Sequence, residues 1–427
     1  MKGKFQFLNS EVVKSISLLT TGTILAQLIP LIAAPFIARL FDATEFGEFA
    51  AIMAIVKIVT VVINGRYELA IVLPKSQRDA RSLLRGAWYV GVLVLVFLLL
   101  ITLFFNRQIS ALLEISLTWK HILIVFISLL GVLVWQPANY YFIRNKSYMK
   151  MTYSKFVKSI TLVTVTLFCG YFSDLIGFNG LLVGFVVCWI LLGLFSLYQV
   201  KPKTVFNSAI SLNRIKRNLK FYSDYPKFNA LPALLNSFSS QLGIYVFIFL
   251  FSTEVSGHYS FAKQYLYGPM NILGVSLSQV YLQRVSAKFK KSISIKKELS
   301  LLFLFLVGVG VVISITVILF SVPIFEFVFG SEWGTAAQIS KLLIISFSFQ
   351  FIVSPLSTVL IALNQVKLAS VFPVVYIFSV VALFFYPRMD LEGFMYVYIL
   401  AEIIPYLVYL LIIVWAVSRY EKRIINK

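Results

Sequence analysis

The chain has 427 residues, of which 59% are hydrophobic and 13% charged, and its mean hydropathy is +0.89. Soluble domains carry about 25% charged residues, so this composition excludes a water-soluble protein and predicts an integral membrane protein. The formal net charge is +21. In a chain this apolar, we attribute the positive charge to basic loops on the cytoplasmic side of a membrane and not to nucleic acid binding.

The sequence predicts neither a disulfide framework nor a metal site or cofactor. The two cysteines, Cys169 and Cys188, lie in apolar runs and are expected to be small buried side chains. The N-terminal stretch MKGKFQFLNSEVVKS precedes a long apolar segment that lacks a small-residue cleavage site. We therefore expect that segment to remain as a membrane anchor and not to be removed as a signal peptide.

Apolar segments long enough to cross a bilayer, which takes about 20 residues, occur along the whole chain. They cover residues 16–40, 47–73, 84–105, 120–143, 156–172, 177–199, 228–251, 257–283, 299–320, 338–363, 367–386 and 393–417. The prediction is an all-α integral membrane protein with twelve transmembrane helices. The longest loop divides it into an N-terminal lobe (residues 1–199, spans one to six), a basic linker (200–227) and a C-terminal lobe (228–427, spans seven to twelve).

The distribution of basic residues predicts the orientation in the membrane. The two tails and alternate loops hold 30 of the 38 Lys and Arg residues. Because basic residues collect in cytoplasmic loops, both termini and the linker are predicted to be cytoplasmic. The linker is either an amphipathic helix at the lipid surface or a plain solvated connection, and the sequence leaves both open.

The two predicted lobes carry a weak internal repeat. LFDATEFGEF, residues 40–49, joins spans one and two, and LFSTEVSGHY, residues 250–259, joins spans seven and eight. Leu, Phe and Gly recur at equal spacing in the two segments. Six spans in each half insert the same way up, and transport sites often lie between such repeats.

Span two contains charged residues in the stretch NGRYELAIVLPKS, residues 64–76. If this span is a helix, successive residues are rotated by 100°, and several of its polar side chains form one stripe along the helix. Its members are Lys57, Thr60, Asn64 and Glu68. Arg66 lies about 200° from Glu68 on the same helix, so the two are not predicted to form a simple intrahelical ion pair. A local bend of the helix at Gly65 would alter this geometry.

Similar polar stripes follow three further spans. They comprise Thr20, Thr23, Gln27 and Pro30 in span one; Asn229, Pro232, Asn236 and Ser240 in span seven; and Gln264, Tyr267, Asn271 and Ser278, beside Lys263, in span eight. Such stripes either line a water-accessible cavity between the lobes or form interhelical hydrogen bonds. The cations Lys57, Arg66 and Lys263 favour a cavity that binds an anion, because hydrogen bonding between helices does not need cations.

These patterns give the predicted site residues. For substrate binding they are Arg66, Glu68, Lys57, Asn64, Lys263, Gln264, Asn271, Gln27 and Asn236. Glu68 and Glu402, the latter in span twelve, are the predicted intramembrane acids, and either could carry a coupling proton or ion. For Glu402, the alternative is a hydrogen bond between packed helices.

Four segments, in order along the chain, resemble one transporter family. They are GRYELAIVLPKS, YPKFNALPALLNSFSSQL, STEVSGHYSFA and FGSEWGTAAQISKLL followed by FQFIVSPLSTVLIALNQ. The resemblance covers nearly the whole chain and is to Wzx-type oligosaccharide flippases, which handle O-antigen and other polysaccharide repeat units. This family is part of the multidrug/oligosaccharidyl-lipid/polysaccharide exporter superfamily.

The resemblance implies two six-helix lobes around a cationic cavity lined by spans one, two, seven and eight. It also implies a flippase, without catalytic residues, that moves undecaprenyl-diphosphate-linked sugar repeat units from the cytoplasmic to the periplasmic leaflet of the bacterial inner membrane. A polysaccharide polymerase and chain-length proteins are its implied partners, in lipopolysaccharide or related biosynthesis. Arg66 matches the family's motif position in span two, whereas span eight offers Lys263 in place of an arginine and Arg39 lies only at the outer end of span one.

Two rival functions stay open at this stage. A cation-coupled multidrug exporter of the same superfamily would be expected to favour acids over bases in its cavity. A membrane polysaccharide polymerase or ligase would need a sizeable periplasmic loop, and the sequence predicts only short ones. The glycan, the coupling ion and the oligomeric state are not predicted.

Overall fold

The computed structural model describes residues 11–114, 117–173, 177–201, 205, 211–387 and 389–425, and this part of the chain is helical, without strands. The predicted all-α class is therefore confirmed. The helices are α1 (Glu11–Ala38), α2 (Ala43–Thr60), α3 (Tyr67–Ala70), α4 (Gln77–Phe104), α5 (Asn106–Leu113), α6 (Trp119–Arg144), α7 (Tyr148–Tyr171), α8 (Gly180–Val200), α9 (Leu212–Phe221), α10 (Asp224–Leu250), α11 (Thr253–Ala262), α12 (Gly268–Lys290), α13 (Lys296–Phe329), α14 (Gly334–Ala362), α15 (Val366–Ala369), α16 (Val371–Ala382) and α17 (Leu391–Ile425). A π-helical turn, Lys263–Tyr267, joins α11 to α12.

Among the described residues, nine helical segments are long and apolar enough to cross a membrane. They correspond to α1, α4, α6, α8, α10, α13, α14, α16 and α17. The other three predicted spans coincide with α2 and α3, with α7, and with α11 to α12. Polar and charged side chains lower the hydropathy of these three segments, for example Lys150, Lys155 and Lys158 in α7. The chain is a multi-pass membrane protein.

The helices form two compact units. The first comprises Met1–Phe41 and Phe49–Ser237, and the second comprises Asp42–Glu48 and Phe238–Lys427. The start of α2 thus packs with the second unit, although the rest of that helix packs with the first.

In the first unit, α8 packs against both α6 and α7, α1 packs against α7, and α4 packs against α6. The backbones of α6 and α8 approach each other closely at Gly131, where a Cβ would lie only 2.1 Å from the carbonyl oxygen of Trp189. Small residues allow such close approach between membrane helices. The indole of Trp88 donates to the carbonyl oxygen of Val134 at 3.3 Å and so connects α4 to α6.

In the second unit, α14 is the central helix, because α11, α12, α13 and α17 all pack against it. Trp333, just before α14, is completely buried. Its ring stacks on Phe261 of α11 with a centroid distance of 3.7 Å. Phe46, from the start of α2, packs edge-on against both rings. This aromatic cluster fixes the first turn of α2 in the second unit.

The two segments of the internal repeat begin their helices in the same way. Before α2, the Asp42 carboxylate accepts a hydrogen bond from the backbone N–H of Glu45 at 2.8 Å. Before α11, the Ser252 hydroxyl accepts one from the N–H of Val255 at 3.2 Å. Both are N-caps, which satisfy N–H groups that the helix itself leaves unpaired.

The glycine of each repeat segment lies five residues after its cap, and the two segments pack against each other there. A Cβ at Gly47 would lie 1.9 Å from the carbonyl oxygen of Thr253, and a Cβ at Gly257 would lie 1.7 Å from that of Ala43. No side chain fits at either position. The repeat observed in the sequence therefore marks a reciprocal helix–helix contact within the second unit.

The predicted basic linker contains α9, which packs against α4. Asp79 of α4 accepts from Arg214 Nε at 2.8 Å and from Asn218 Nδ2 at 3.1 Å through the same carboxylate oxygen. Ile215 is buried on this side of the helix, whereas Phe221 is exposed. This part of the linker is thus a docked helix and not a plain solvated connection.

Candidate functional site

Predicted span two is interrupted in its middle. The helix α2 ends at Thr60, residues 61–66 form successive turns, and α3 begins only at Tyr67. Gly65 and Arg66 have φ of 59° and 60°, in the left-handed region that glycine tolerates and arginine rarely adopts. The prediction of one continuous helical stripe from Lys57 to Glu68 is therefore wrong, because the chain changes direction at Gly65.

Asn64 lies inside the first unit and is only 1% exposed. Its side-chain amide donates to the carbonyl oxygens of Ala87 in α4 at 3.1 Å and of Leu133 in α6 at 3.2 Å. In a regular helix the Leu133 carbonyl would accept from residue 137, but Pro137 has no N–H. Asn64 supplies the donor that this proline lacks, so the structure places it as a connection between helices within the unit.

Arg66 and Glu68 form an ion pair, contrary to the helical-wheel prediction. The Arg66 Nη1 and Glu68 Oε1 atoms are 3.6 Å apart, and the same carboxylate oxygen accepts from Gln136 Nε2 at 3.3 Å. The left-handed turn rotates Arg66 towards Glu68, which a continuous helix would not do. The Glu68 side chain is buried, whereas that of Arg66 is 21% exposed. The guanidinium can therefore reach a ligand while the carboxylate stays within the unit.

This cluster contains polar atoms without a protein partner. Within the described part of the chain, Glu68 Oε2, Gln136 Oε1 and Arg66 Nε are buried and make no hydrogen bond. Buried polar atoms are normally satisfied. Unpaired donors and acceptors next to a partly exposed cation are expected where a ligand or an ion completes the site.

Five other predicted binding residues lie at the surface of their units. They are Gln27, Lys57, Asn236, Gln264 and Asn271. Among their contacts, the hydroxyl of Tyr267 donates to Asn271 Oδ1 at 3.3 Å, and that of Ser237 donates to the backbone carbonyl of Lys57 at 3.2 Å. Their roles in binding stay predictions.

Lys263 begins the π-helical turn that interrupts predicted span eight. Its ammonium donates to the carbonyl oxygen of Ser240 at 3.1 Å and to the hydroxyl of Tyr259 at 3.3 Å. An ammonium has three protons, and among the described residues these are its two hydrogen-bond acceptors. Because Lys263 is half-buried, the third proton can reach a ligand at the surface of the unit.

A chain of hydrogen bonds leads from Lys263 to Glu402. The Tyr259 and Tyr398 hydroxyls are 2.7 Å apart, and the Tyr398 hydroxyl donates to Glu402 Oε1 at 2.8 Å. Tyr376 of α16 donates to the same Glu402 oxygen at 2.9 Å. Glu402 is 4% exposed. The predicted head-group cation and the predicted coupling acid of the second unit thus belong to one network.

Both candidate cations lie where regular helical hydrogen bonding stops. Arg66 ends the run of turns after α2, and Lys263 begins the π-helical turn after α11. Non-helical backbone at membrane depth is tolerated only where it is buried in protein or lines a water-filled cavity. π-helical turns also occur frequently at functional sites. Among the described residues, no cluster of His, Cys, Asp and Glu could hold a metal ion.

The sequence of the chain matches one family profile, described as "Polysaccharide biosynthesis protein", over residues 36–338. The chain belongs to the polysaccharide biosynthesis protein family. No curated protein sequence matches it. The family match includes both interrupted spans and the cations within them.

Solved structures similar to this chain include a flippase and MATE transporters. Lipid II flippase MurJ in an inward closed conformation has a TM-score of 0.73 at 16% identity, covering 96% of this chain and 91% of that one. An inward-facing multidrug resistance MATE transporter of the MOP superfamily has a TM-score of 0.69 at 12% identity, covering 93% and 96%. The Vibrio cholerae MATE transporter VcmN, in its bent form, has a TM-score of 0.58 at 16% identity, covering 95% of this chain and 97% of that one. This polysaccharide biosynthesis protein therefore has the fold seen in these flippase and transporter structures.

Sequence reasoning identified the charged residues of this family member but missed their polar neighbours. These are Gln136, Tyr259, Tyr376 and Tyr398. A signal for two of them was present, because Tyr259 and Tyr398 each precede a charged residue, Lys263 and Glu402, by four positions. Residues four apart share a helix face. Gln136 and Tyr376 meet their carboxylates only through tertiary packing.

Proposed function

We propose that this protein is a lipid-linked oligosaccharide flippase. It moves undecaprenyl-diphosphate-linked sugar repeat units from the cytoplasmic to the periplasmic leaflet of the bacterial inner membrane by alternating access. The observation that carries the proposal is the position of Arg66 and Lys263, partly exposed cations at interrupted membrane helices. The family's description and the flippase fold of MurJ support it.

Each of the two cations has a chemistry that suits phosphate. A guanidinium presents a planar set of donors that can bind phosphate through two parallel hydrogen bonds, whereas an ammonium acts as a compact point charge. Glu68 pairs with Arg66 in the absence of substrate and keeps this charge compensated. A diphosphate that displaces the Glu68 carboxylate would bind the Arg66 guanidinium in its place. Glu68 would then favour release of the diphosphate by competing for the same guanidinium.

The membrane potential can assist this reaction. Moving one elementary charge through 100 mV changes the free energy by about 2.3 kcal/mol. A diphosphate with about two negative charges would therefore gain roughly 4–5 kcal/mol on leaving a cell whose interior is negative. Binding of an additional coupling ion at Glu68 or Glu402 is compatible with transport of the diphosphate out of the cell.

A cation-coupled multidrug exporter is the second candidate. The buried acids Glu68 and Glu402, and the fold likeness to MATE transporters, favour it. The proximity of a cation to each acid argues for the flippase, because a cationic drug would be repelled by Arg66 and Lys263. A polymerase or ligase is less well supported, since the similar solved structures are transporters and flippases.

Reconstitution tests the flippase proposal directly. Purified protein in vesicles should move a fluorescent diphosphate-linked saccharide lipid to the opposite leaflet, measured by quenching from outside. Arg66→Ala should lower the rate at least about tenfold, the equivalent of 1.4 kcal/mol in an equilibrium. Arg107→Ala, at an exposed arginine of α5, is the matched control and should flip at the wild-type rate. Transport of a cationic dye but not of the diphosphate lipid by the wild type would favour the exporter instead.

A further inference from the structure

We propose that a basic cleft between the C-terminal ends of α12 and α17 binds the phosphate of an anionic membrane phospholipid. The cleft lies within the second unit and has a volume of about 690 Å³. Both helix ends contribute to its lining, which includes Phe289, Ser292, Arg419, Tyr420, Lys422 and Arg423.

The cleft is remote from the cation proposed to bind the diphosphate in this unit. The helix α12 has 23 residues and begins directly after the π-helical turn that carries Lys263. The cleft lies at the other end of this helix, which is about 35 Å long. The inference therefore does not rest on the proposed function and needs only a membrane protein in a lipid bilayer.

An aromatic contact joins the two helix ends at the cleft. The rings of Phe289 and Tyr420 have a centroid distance of 5.5 Å. The Tyr420 hydroxyl donates to the carbonyl oxygen of Ile293 at 3.1 Å. The turn after α12 is closed by the N–H of Ser292, which donates to the carbonyl oxygen of Phe289 at 3.1 Å. The turn is thus fixed against α17, and the cleft is formed before a ligand binds.

The charges that line the cleft are all positive. Arg419, Lys422 and Arg423 are exposed, and none of the ion pairs among the described residues includes one of them. Glu421 lies between them in the sequence, but its carboxylate accepts from the two N–H groups at the start of α13, at 2.8 and 3.2 Å. Three cations without a carboxylate partner favour an anionic ligand.

Trp415 indicates the depth of the cleft in the membrane. Its side chain is 52% exposed, and the Arg419 guanidinium lies 5.4 Å from the ring centroid in a cation–π contact. Tryptophan is enriched where a membrane protein meets the interface. The three cations follow Trp415 by four to eight residues, or about 6–12 Å along the helix, which places them at the head groups. In the predicted orientation these belong to the cytoplasmic leaflet, whose anionic lipids attract such cations.

The lining favours a lipid over a free phosphate ion. Guanidinium groups bind phosphate through paired hydrogen bonds and an ammonium binds it as a point charge, and the Ser292 hydroxyl adds a donor. Phe289, Tyr420 and Ile424 also line the cleft. A hydrated phosphate ion gains nothing from this apolar surface, whereas the glycerol backbone and first acyl carbons of a phospholipid would cover it. A net negative head group such as phosphatidylglycerol fits better than a zwitterionic one, which brings a cation of its own.

Thermal unfolding of the purified full-length protein in nanodiscs tests the site. Discs of phosphatidylcholine alone are compared with discs that also contain phosphatidylglycerol. The wild type should melt at a higher temperature with phosphatidylglycerol, because a ligand that binds only the folded state stabilises it. Native mass spectrometry in detergent should show that the wild type retains phosphatidylglycerol in preference to phosphatidylcholine.

A triple variant removes the cations of the cleft. Arg419→Gln, Lys422→Gln and Arg423→Gln together should abolish the shift in melting temperature and weaken phosphatidylglycerol binding at least about tenfold. In discs of phosphatidylcholine alone this variant should melt like the wild type, because the three side chains are exposed.

The matched control is the combination of Lys290→Gln, Lys296→Gln and Lys297→Gln. It removes the same number of charges from exposed positions at the same end of the unit, and these positions do not line the cleft. Its melting shift and its affinity should equal those of the wild type. Equal losses in the two triple variants would show a response to net charge alone and would overturn the site.

Two further results would contradict the lipid assignment. One is a wild type that retains phosphatidylglycerol no better than phosphatidylcholine. The other is displacement of phosphatidylglycerol by an equal concentration of inorganic phosphate, which would show a site for the free ion. Neither experiment measures lipid flipping, so the flippase proposal stands or falls on its own test.

Discussion

At the scale of single residues, the Asn64 amide compensates for the N–H group that Pro137 of α6 lacks. The proline leaves the Leu133 carbonyl of α6 without its usual helical donor, and the Asn64 amide provides one while also binding Ala87 of α4. An unsatisfied buried carbonyl costs about 1–3 kcal/mol. The segment that carries Arg66 is thereby attached to α4 and α6 only two residues before the guanidinium.

Asn64→Ala should therefore destabilise the protein by about 1–3 kcal/mol, because two buried carbonyls lose a donor. The measurement is thermal or denaturant unfolding in detergent, followed by intrinsic fluorescence. Asn213→Ala, at an exposed position of α9, should unfold like the wild type. Equal unfolding curves for the two variants would contradict the role assigned to Asn64.

The charged residues of the candidate site could be chosen from the sequence, but their contacts could not. Charges in apolar segments are costly, which makes Arg66, Glu68, Lys263 and Glu402 conspicuous. The angle between Arg66 and Glu68 was predicted incorrectly because 100° per residue holds only in a continuous helix. A left-handed conformation at a non-glycine residue such as Arg66 leaves no recognisable sequence pattern.

At the scale of helices, the crossing of α2 and α11 depends on the absence of two side chains. At Gly47 and Gly257 the neighbouring backbone carbonyl oxygen comes within 2 Å of the place a Cβ would take. Backbone atoms cannot move aside as the end of a flexible side chain can. The repeat segments are therefore restricted to glycine by their contact with one another.

Gly257→Ala should lower stability by at least about 2 kcal/mol, since forced overpacking costs about 1–3 kcal/mol. Gly308→Ala, in the middle of α13, is the control because a Cβ there meets no atom within 4 Å. Its effect should be neutral or stabilising by up to about 1 kcal/mol, from helix propensity alone. Melting temperatures in detergent compare the two. If Gly257→Ala and Gly308→Ala had the same melting temperature, α2 and α11 could move apart without a loss of stability, which would contradict this prediction.

Helix existence was largely predictable because long apolar runs dominate the sequence. Predicted span 84–105 corresponds to α4, which begins earlier with a capped polar turn, and 299–320 corresponds to α13, which begins three residues earlier and continues to Phe329. Of the two interruptions, the sequence indicates only the first, through a local bend at Gly65. The sequence KQYLY at 263–267 contains no helix breaker, and its π-helical turn packs against α14.

At the scale of the whole molecule, the positive charge predicts the orientation in the membrane, and this prediction is open to a direct test. Loops 74–85, 144–158, 200–227 and 284–298 are basic, so they should face the cytoplasm. In a background with Cys169→Ala and Cys188→Ala, single cysteines can be labelled with a membrane-impermeant maleimide.

Glu332→Cys, at an exposed position before α14, should be labelled in intact cells, because this loop is predicted to be periplasmic. Lys290→Cys, exposed at the end of α12, should be labelled only after permeabilisation. Both positions are matched in exposure, so differences in labelling report on sidedness. The reverse pattern would place both termini outside and exclude export in the proposed direction.

The length of α13 has a consequence for the lipid surroundings. Its 34 residues span about 51 Å, whereas the hydrocarbon layer is about 30 Å thick, so the helix must tilt or extend into the head-group layers. Its first turn is held on both sides, because Glu421 of α17 accepts from the Ile295 and Lys296 N–H groups and Lys288 of α12 pairs with Glu298. A change in bilayer thickness that alters the inclination of α13 would therefore displace the ends of α12 and α17 as well, and α17 is the helix that carries Glu402.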